Sequence, residues 1–229
     1  MSANVLVIAA HPDDEVIGPG GTLARHARDG DSVFGCILCG KADARAGHPG
    51  TDRLTSHMRR AAESLGIRDY LTFDFPNIRF NTVPELELVG AIEEAIVKFR
   101  PEIVYTHHPS DVNSDHRVVF RASVAAIRLP ERGSARGNGL PVIRRVLAYE
   151  TASSTDWSLA APSPFAPNVY VDISETLEKK IEACKQYEGV LRSYPHPRSE
   201  EGMRILAEYR GMAAHLRFAE AFVLLREIC

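Results

Sequence analysis

The chain has 229 residues, 45% of them hydrophobic and 25% charged, with a formal net charge of −3. That composition belongs to a soluble globular protein with enough chain for a self-sufficient core. It excludes a nucleic-acid or membrane surface built on bulk charge, and no apolar stretch approaches the roughly 20 residues needed to span a bilayer.

Residues 4–10 form a near-continuous apolar run, the pattern of a strand buried on both faces of a parallel sheet. The run ends in His11-Pro-Asp13-Asp14-Glu15, more polar groups than a core strand needs. Gly18-Pro-Gly-Gly21 leads into a helix expected over 22–28 and stopped by Asp29-Gly30. A second strand is expected at 32–39, then a Gly/Ala/Asp loop from Lys41 to Thr51, then a helix from Thr55 to Leu65 stopped by Gly66. A short strand at 70–73 precedes a loop with Asn77, Arg79 and Asn81, and Pro84 opens a helix to about Lys98. The next strand, Glu102–Thr106, runs straight into His107-His108-Pro-Ser-Asp111-Val-Asn113-Ser-Asp115-His116. A helix over 115–127, a surface loop over 131–140, a strand over 142–150 and an irregular stretch over 151–167 follow. The chain closes with a short strand at 169–171, a helix capped by Ser174 and running to about Tyr187, a loop at 193–201, and a mostly helical segment from Met203 to Arg226.

Strands alternating with helices predict an α/β fold, a mostly parallel sheet with helices on both faces. In such sheets the active site lies beyond the carboxyl ends of the strands, so both polar clusters belong at one edge. Cys36 and Cys39 form a C-x-x-C inside a predicted strand, where residues three apart face opposite sides. They read as small buried hydrophobes, not as a redox pair. The N-terminus shows no basic region followed by an apolar segment, so a signal peptide is not expected and the cytoplasm is the expected compartment.

A catalytic zinc site takes three protein ligands and leaves one position for water. His11 and Asp14 could supply two, and His116 the third; two neutral imidazoles and a carboxylate suit Zn²⁺, one ion per chain, though other divalent metals accept the same set. Asp13 stands next to a ligand but must point elsewhere, which suits a general base acting on water whose pKa the metal lowers to about 7. Asp115 could orient His116 or another imidazole, and Glu15 reads as a helix-start or supporting acid. Without a metal, the same acids would serve only the helix dipole. Gly18-Pro-Gly-Gly21 could cradle a phosphate, but it matches neither phosphate-binding fingerprint and better suits close backbone packing beneath the site.

His11-Pro-Asp13-Asp14-Glu15, followed by Gly-x-Gly-Gly-Thr22 and the later Asp115-His116, resembles the LmbE-like family, also called PIG-L de-N-acetylases. Leu65-Gly66-Ile67, Arg210-Gly211 and Ala219-Glu220-Ala221-Phe222 extend the likeness over most of the chain. The resemblance implies a Rossmann-like fold in a single domain over 1–229, with residues from about 150 as a carboxyl-terminal extension packed on the core. It implies zinc on His11, Asp14 and His116, Asp13 as general base, and hydrolysis of the N-acetyl group of an amino sugar or glycoconjugate. One position departs: where many members carry the first His of His-x-Asp-His, this chain has Asn113. An amide can donate a hydrogen bond to an oxyanion but carries no charge and shuttles no proton. His107 or His108 could supply the acid, or could be structural.

For substrate recognition the candidates are Arg53, Arg79, Arg198 and His108, with Arg192, the Tyr194-Pro-His196-Pro-Arg198 loop and Trp157 as further surfaces for an anionic or glycosyl group. The expected partner is a small N-acetylated molecule, with no nucleic acid and no membrane insertion; a homo-oligomer is compatible with the composition. Rival readings on the same residues are another metal-dependent hydrolase or a hydratase, a non-haem iron enzyme, and a non-catalytic binding module.

Overall fold

The computed structural model describes residues 2–41, 50–133, 135–159 and 163–229. Most of the loop expected between Lys41 and Thr51, Ser134 of the surface loop, and 160–162 of the irregular stretch lie outside the described residues.

In chain order the elements are β1 (Asn4–Ala9), α1 (Asp14–Ile17), α2 (Gly20–Arg28), β2 (Ser32–Ile37), α3 (Thr51–Leu65), β3 (Ile67–Thr72), α4 (Glu85–Phe99), β4 (Ile103–His107), α5 (Ser114–Ala126), β5 (Arg145–Tyr149), β6 (Val169–Asp172), α6 (Leu177–Gln186), α7 (Glu200–Met212) and β7 (Ala219–Glu227). They build a seven-stranded sheet in the order β3-β2-β1-β4-β5-β7-β6. β1 pairs in parallel with β2 and β4, and β7 runs antiparallel between β5 and β6.

The alternation of β1 divides the core. Val5, Val7 and Ala9 face a layer with α2, α3, α6 and α7, while Leu6, Ile8 and Ala10 face α4 and α5. Both faces are covered, which is why β1 reads as an unbroken apolar run. After β1 the chain winds outward to β2 and β3, then returns to place β4 on the other side of β1. The carboxyl ends of β1 and β4 therefore flank the switch point of the sheet, where a crevice opens. Among the described residues, no helix is long and apolar enough to cross a membrane.

Three local expectations are corrected. The segment from Met203 to Arg226 is not mostly helical: α7 ends at Met212, the chain turns through His215 at φ 56°, and Ala219–Glu227 is a strand. Its Ala, Glu and Leu favour a helix locally, but insertion between two strands and burial of Ala219–Phe222 outweigh that preference. Ser174 does not cap α6, because its hydroxyl donates to Asp172 Oδ1 at 2.7 Å and Thr176 takes the cap position. Cys36 and Cys39 are both buried in the same core layer, because β2 stops at Ile37 and Cys39 lies beyond the alternating strand.

Candidate metal centre and active site

The two polar clusters meet at the switch point. One nitrogen or oxygen each from His11, Asp14 and His116 lies within 4.8 Å of the others, and all three residues are buried. Asp14 sits in the first turn of α1, and its Oδ2 is 3.2 Å from His11 Nδ1 and 3.3 Å from His116 Nε2. The same oxygen accepts the His11 backbone N–H at 2.9 Å.

Each imidazole is held from behind by a carboxylate. Asp115 Oδ2 is 3.1 Å from His11 Nε2, and Asp115 is itself fixed by the backbone N–H groups of Ile78, at 2.7 Å, and Phe80, at 3.1 Å. Asp115 thus orients His11 and not its neighbour His116. Asp111 Oδ2 is 3.2 Å from His116 Nδ1, an ion contact without an aligned hydrogen bond, and accepts from Thr155 Oγ1 at 2.7 Å. Its Oδ1 accepts from the Ser154 hydroxyl and from the Asn113 N–H at 2.8 Å. Paired in this way, each ring turns its other nitrogen toward Asp14, the arrangement second-shell carboxylates give metal-binding histidines.

Burial works against the charged form of His116, but Asp14 and Asp111 outweigh it and hold the ring at about 10. Burial alone would lift the Asp14 and Asp111 carboxyls. Against it His116 holds Asp14 well below the usual range, and His116 with the two hydroxyls draws Asp111 down to about 2. Two anionic carboxylates therefore stand around a buried ring whose Nε2 has no aligned hydrogen bond. A divalent cation fits that need: it would take the orphaned nitrogen and replace the proton.

Asp13 lies in the chain between His11 and Asp14 with φ 113°, a conformation an L residue rarely adopts and one that costs on the order of 1–3 kcal/mol. It turns the side chain away from Asp14 and into a cavity of about 170 Å³ lined by His11, Asp13, Asp14, Asn113 and His116 together with Lys41, Asn77, Ile78 and Arg198. Arg198 Nη1 is 3.7 Å from Asp13 Oδ2, and its Nε donates to Ala152 O at 3.1 Å and Ser153 Oγ at 2.7 Å. Glu15 is fully buried below, and burial, reinforced by the Asp13 charge, pushes its carboxyl up to about 7 against the Tyr187 hydrogen bond.

Asn113 caps α5: its Oδ1 accepts the Asp115 N–H at 2.9 Å, which leaves Nδ2 as its donor at the cavity wall. His107 does not line the cavity. Its Nε2 accepts the Ala10 N–H at 3.0 Å, its ring stacks on His116 at 3.9 Å, and burial holds it well below the usual histidine range. His108 packs edge-on against Phe165 and also lies outside the cavity lining.

Of the substrate-binding candidates, only Arg198 lines the cavity. Arg53 pairs with Glu188 at 2.9 Å on the surface, and Arg79 is exposed at the start of a 3₁₀ turn. Tyr194 and Trp157 are exposed and line no part of it. Sequence reasoning gave no role to Asp111, Lys41 or Asn77. Asp111 was the one acid of the second cluster left unassigned, and Lys41 follows β2 at the same sheet edge, so topology alone could have flagged both.

The glycine-rich turn is explained by packing. A Cβ on Gly18 would stand 2.4 Å from the Tyr149 ring. The N–H groups of Gly21 and Thr22, which a phosphate would have claimed, donate to Glu220 at 2.9 and 2.7 Å. Lys180 neutralises that buried carboxylate at 2.6 Å.

A His-Asp-His cluster that could hold a metal, at the switch point of a doubly covered, mostly parallel sheet and with a spare acid at its edge, fits the class of metal-site α/β enzymes. The PIG-L family description, GlcNAc-PI de-N-acetylase, matches residues 6–127, and the chain belongs to that family. It is 29% identical to the uncharacterized deacetylase YaiS of Escherichia coli K12 over 81% of this chain and 90% of that one. It is also 29% identical to the diacetylchitobiose deacetylase of Thermococcus kodakarensis, over 94% and 80%. Among solved structures it resembles the conserved protein TT1542 of Thermus thermophilus, with TM-score 0.81, 27% identity and 99% and 96% coverage. At 21% identity it shares its fold with GalB, the 4-carboxy-2-hydroxymuconate hydratase of Pseudomonas putida KT2440, with TM-score 0.78 over 100% and 98% of the two chains.

Proposed function

We propose that this chain is a zinc-dependent hydrolase that removes the N-acetyl group of an amino sugar or glycoconjugate. The observation that carries the reading is the His11-Asp14-His116 cluster with Asp13 turned out of it into the same cavity. When bound there, Zn²⁺ would supply Lewis acidity, drawing charge from the acetamide carbonyl and lowering the pKa of a water to about 7.

The chain's own residues do the rest. Asp13 takes a proton from the attacking water and returns it to the departing nitrogen as the C–N bond breaks, so acetate and a free amine leave. Asn113 Nδ2 donates to the oxygen on which negative charge develops. Arg198 keeps the Asp13 carboxylate facing the cavity at 3.7 Å.

The substrate extends beyond the acetamido group. Lys41, at the cavity wall, pairs at 3.2 Å with Asp74, which lines a groove of about 460 Å³ between α3 and β3. The Lys41–Asp74 pair joins the two linings and supports a substrate with a second sugar or an aglycone. Acetate release by the zinc-loaded protein across free, chitobiose-type, nucleotide-linked and lipid-linked N-acetylglucosamine tests the reading. The expected outcome is turnover of at least one linked substrate above the free sugar. Inactivity on the whole panel, with hydration of an unsaturated carboxylic acid instead, would assign the site to hydratase chemistry.

A further inference from the structure

Asp13 enters the cavity from a backbone conformation that an L residue rarely adopts, so its surroundings must hold it there. Glu15 does. It is fully buried, and its Oε2 accepts the Asp13 backbone N–H at 3.0 Å. Its other oxygen takes the Tyr187 hydroxyl at 2.5 Å and, more weakly, the Tyr70 hydroxyl at 3.4 Å. Tyr187 closes the end of α6 and Tyr70 comes from β3, so two elements far from Asp13 in sequence converge on one carboxylate.

Folding does not ask for this arrangement. A buried carboxylate is unfavourable unless fully hydrogen-bonded, and an apolar side chain would fill the space more simply. The neighbouring strand is adapted to it as well. Gly35 lies inside β2, where glycine weakens a strand, and it is in register with Tyr70. A Cβ at Gly35 would stand 2.2 Å from the Tyr70 ring, so the missing side chain is what lets that ring lie across β2 with its hydroxyl toward Glu15.

We propose that Glu15, with Tyr187 and Tyr70 behind it, is a positioning platform that fixes the Asp13 backbone and so aims its carboxylate at the reacting water. The proposal rests on the reading of Asp13 as the base. Glu15 and Tyr187 line neither the cavity nor the groove, and they act through Asp13; Tyr70 borders the groove, and its hydroxyl reaches Asp13 only through Glu15. A role confined to folding would affect stability and metal content instead, and aromatic cover of Gly35 alone would need no hydroxyl on Tyr70.

The test compares Glu15→Leu, Glu15→Gln, Tyr187→Phe and Asp13→Ala, each loaded with zinc, by kcat, KM, bound metal and thermal unfolding. Misplacing the base by a fraction of its reach should lower kcat of Glu15→Leu about 100-fold, with KM and metal content kept. Glu15→Gln still offers an oxygen to the Asp13 N–H and should recover most of that loss. Tyr187→Phe, which removes one oxygen and folds if Glu15→Leu does not, should lose kcat about fivefold at constant KM. A crystal structure of either impaired variant should show φ of Asp13 moved out of the positive region. If Glu15→Leu and Tyr187→Phe keep kcat within about twofold while Asp13→Ala is inactive, the platform is overturned and the base stands. If losses follow metal content or unfolding temperature, or Glu15→Gln is as poor as Glu15→Leu, the role is structural and the proposal fails. Full activity of Asp13→Ala would remove the base reading itself, a separate outcome.

Discussion

Lys180→Met isolates the buried charge pair that locks the glycine-rich turn beneath the site. Lys180 Nζ donates to Glu220 Oε1 at 2.6 Å and to Gly18 O at 2.8 Å, and the two side chains are only 8% and 7% exposed. Methionine keeps the length and the apolar stem but removes the charge. Glu220 would be left buried with only the Gly21 and Thr22 N–H groups, and the Gly18 carbonyl would lose its donor. Breaking a buried pair on one side costs about 3–5 kcal/mol, and the two remaining amide donors put this case near about 3 kcal/mol. For a chain of this size that lowers Tm by about 6–12 °C. Urea and thermal unfolding followed by circular dichroism, at fixed metal content, read the change. Adding Glu220→Gln should restore part of the loss, because a neutral amide still accepts one N–H and needs no counter-charge. A single-variant loss below about 1 kcal/mol, or losses that simply add in the double variant, would refute the reasoning.

Asp111→Asn should weaken zinc binding about 10- to 100-fold, because Asp111 is the carboxylate beside His116 Nδ1; competition with a chelating dye measures it, and unchanged affinity would remove Asp111 from the metal's support. Asn113→Asp keeps the cap oxygen that holds the start of α5 but loses the Nδ2 donor. Its stability should hold while kcat falls about 100-fold; equal losses in both would mean that capping is the whole role. Of the four thiols only Cys229 is exposed, and burial pushes Cys184 up to about 12 and Cys36 higher still. A disulfide reagent at mildly alkaline pH should therefore titrate one thiol quickly in the native protein, and a second fast thiol would contradict the burial.

What could be read in the sequence was whatever follows from neighbours along the chain. The apolar run of β1, the polar residues packed after β1 and β4, Pro84 before α4 and Gly66 after α3 each signal their structure locally. Alternating elements then suffice to bring both clusters to one sheet edge. β7 was illegible because its composition favours a helix, and only its two partner strands make it a strand. The supports of the site were hidden for the same reason. Asp111 on His116, Glu220 on the glycine-rich turn and Tyr187 under Glu15 are contacts between distant segments, and no periodicity marks them. Glu15 looked like an ordinary helix-start acid because sequence shows its position but not the Asp13 N–H and tyrosine hydroxyls it receives. The arginines could not be told apart for the opposite reason: their charge is plain in the sequence, but that Arg198 lines the cavity while Arg53 and Arg79 do not depends on loop geometry.

In the proposed function, one ion on His11, Asp14 and His116 and one carboxylate on Asp13 together hydrolyse an N-acetyl amide. Acetate and free amine released from diacetylchitobiose, measured on wild type and Asp13→Ala at the same verified zinc content, test it most directly. Wild type should release the two products in equal amounts, and Asp13→Ala, with its zinc still bound, should be slower by about a thousandfold or more. An Asp13→Ala rate close to wild type at full zinc occupancy would contradict it.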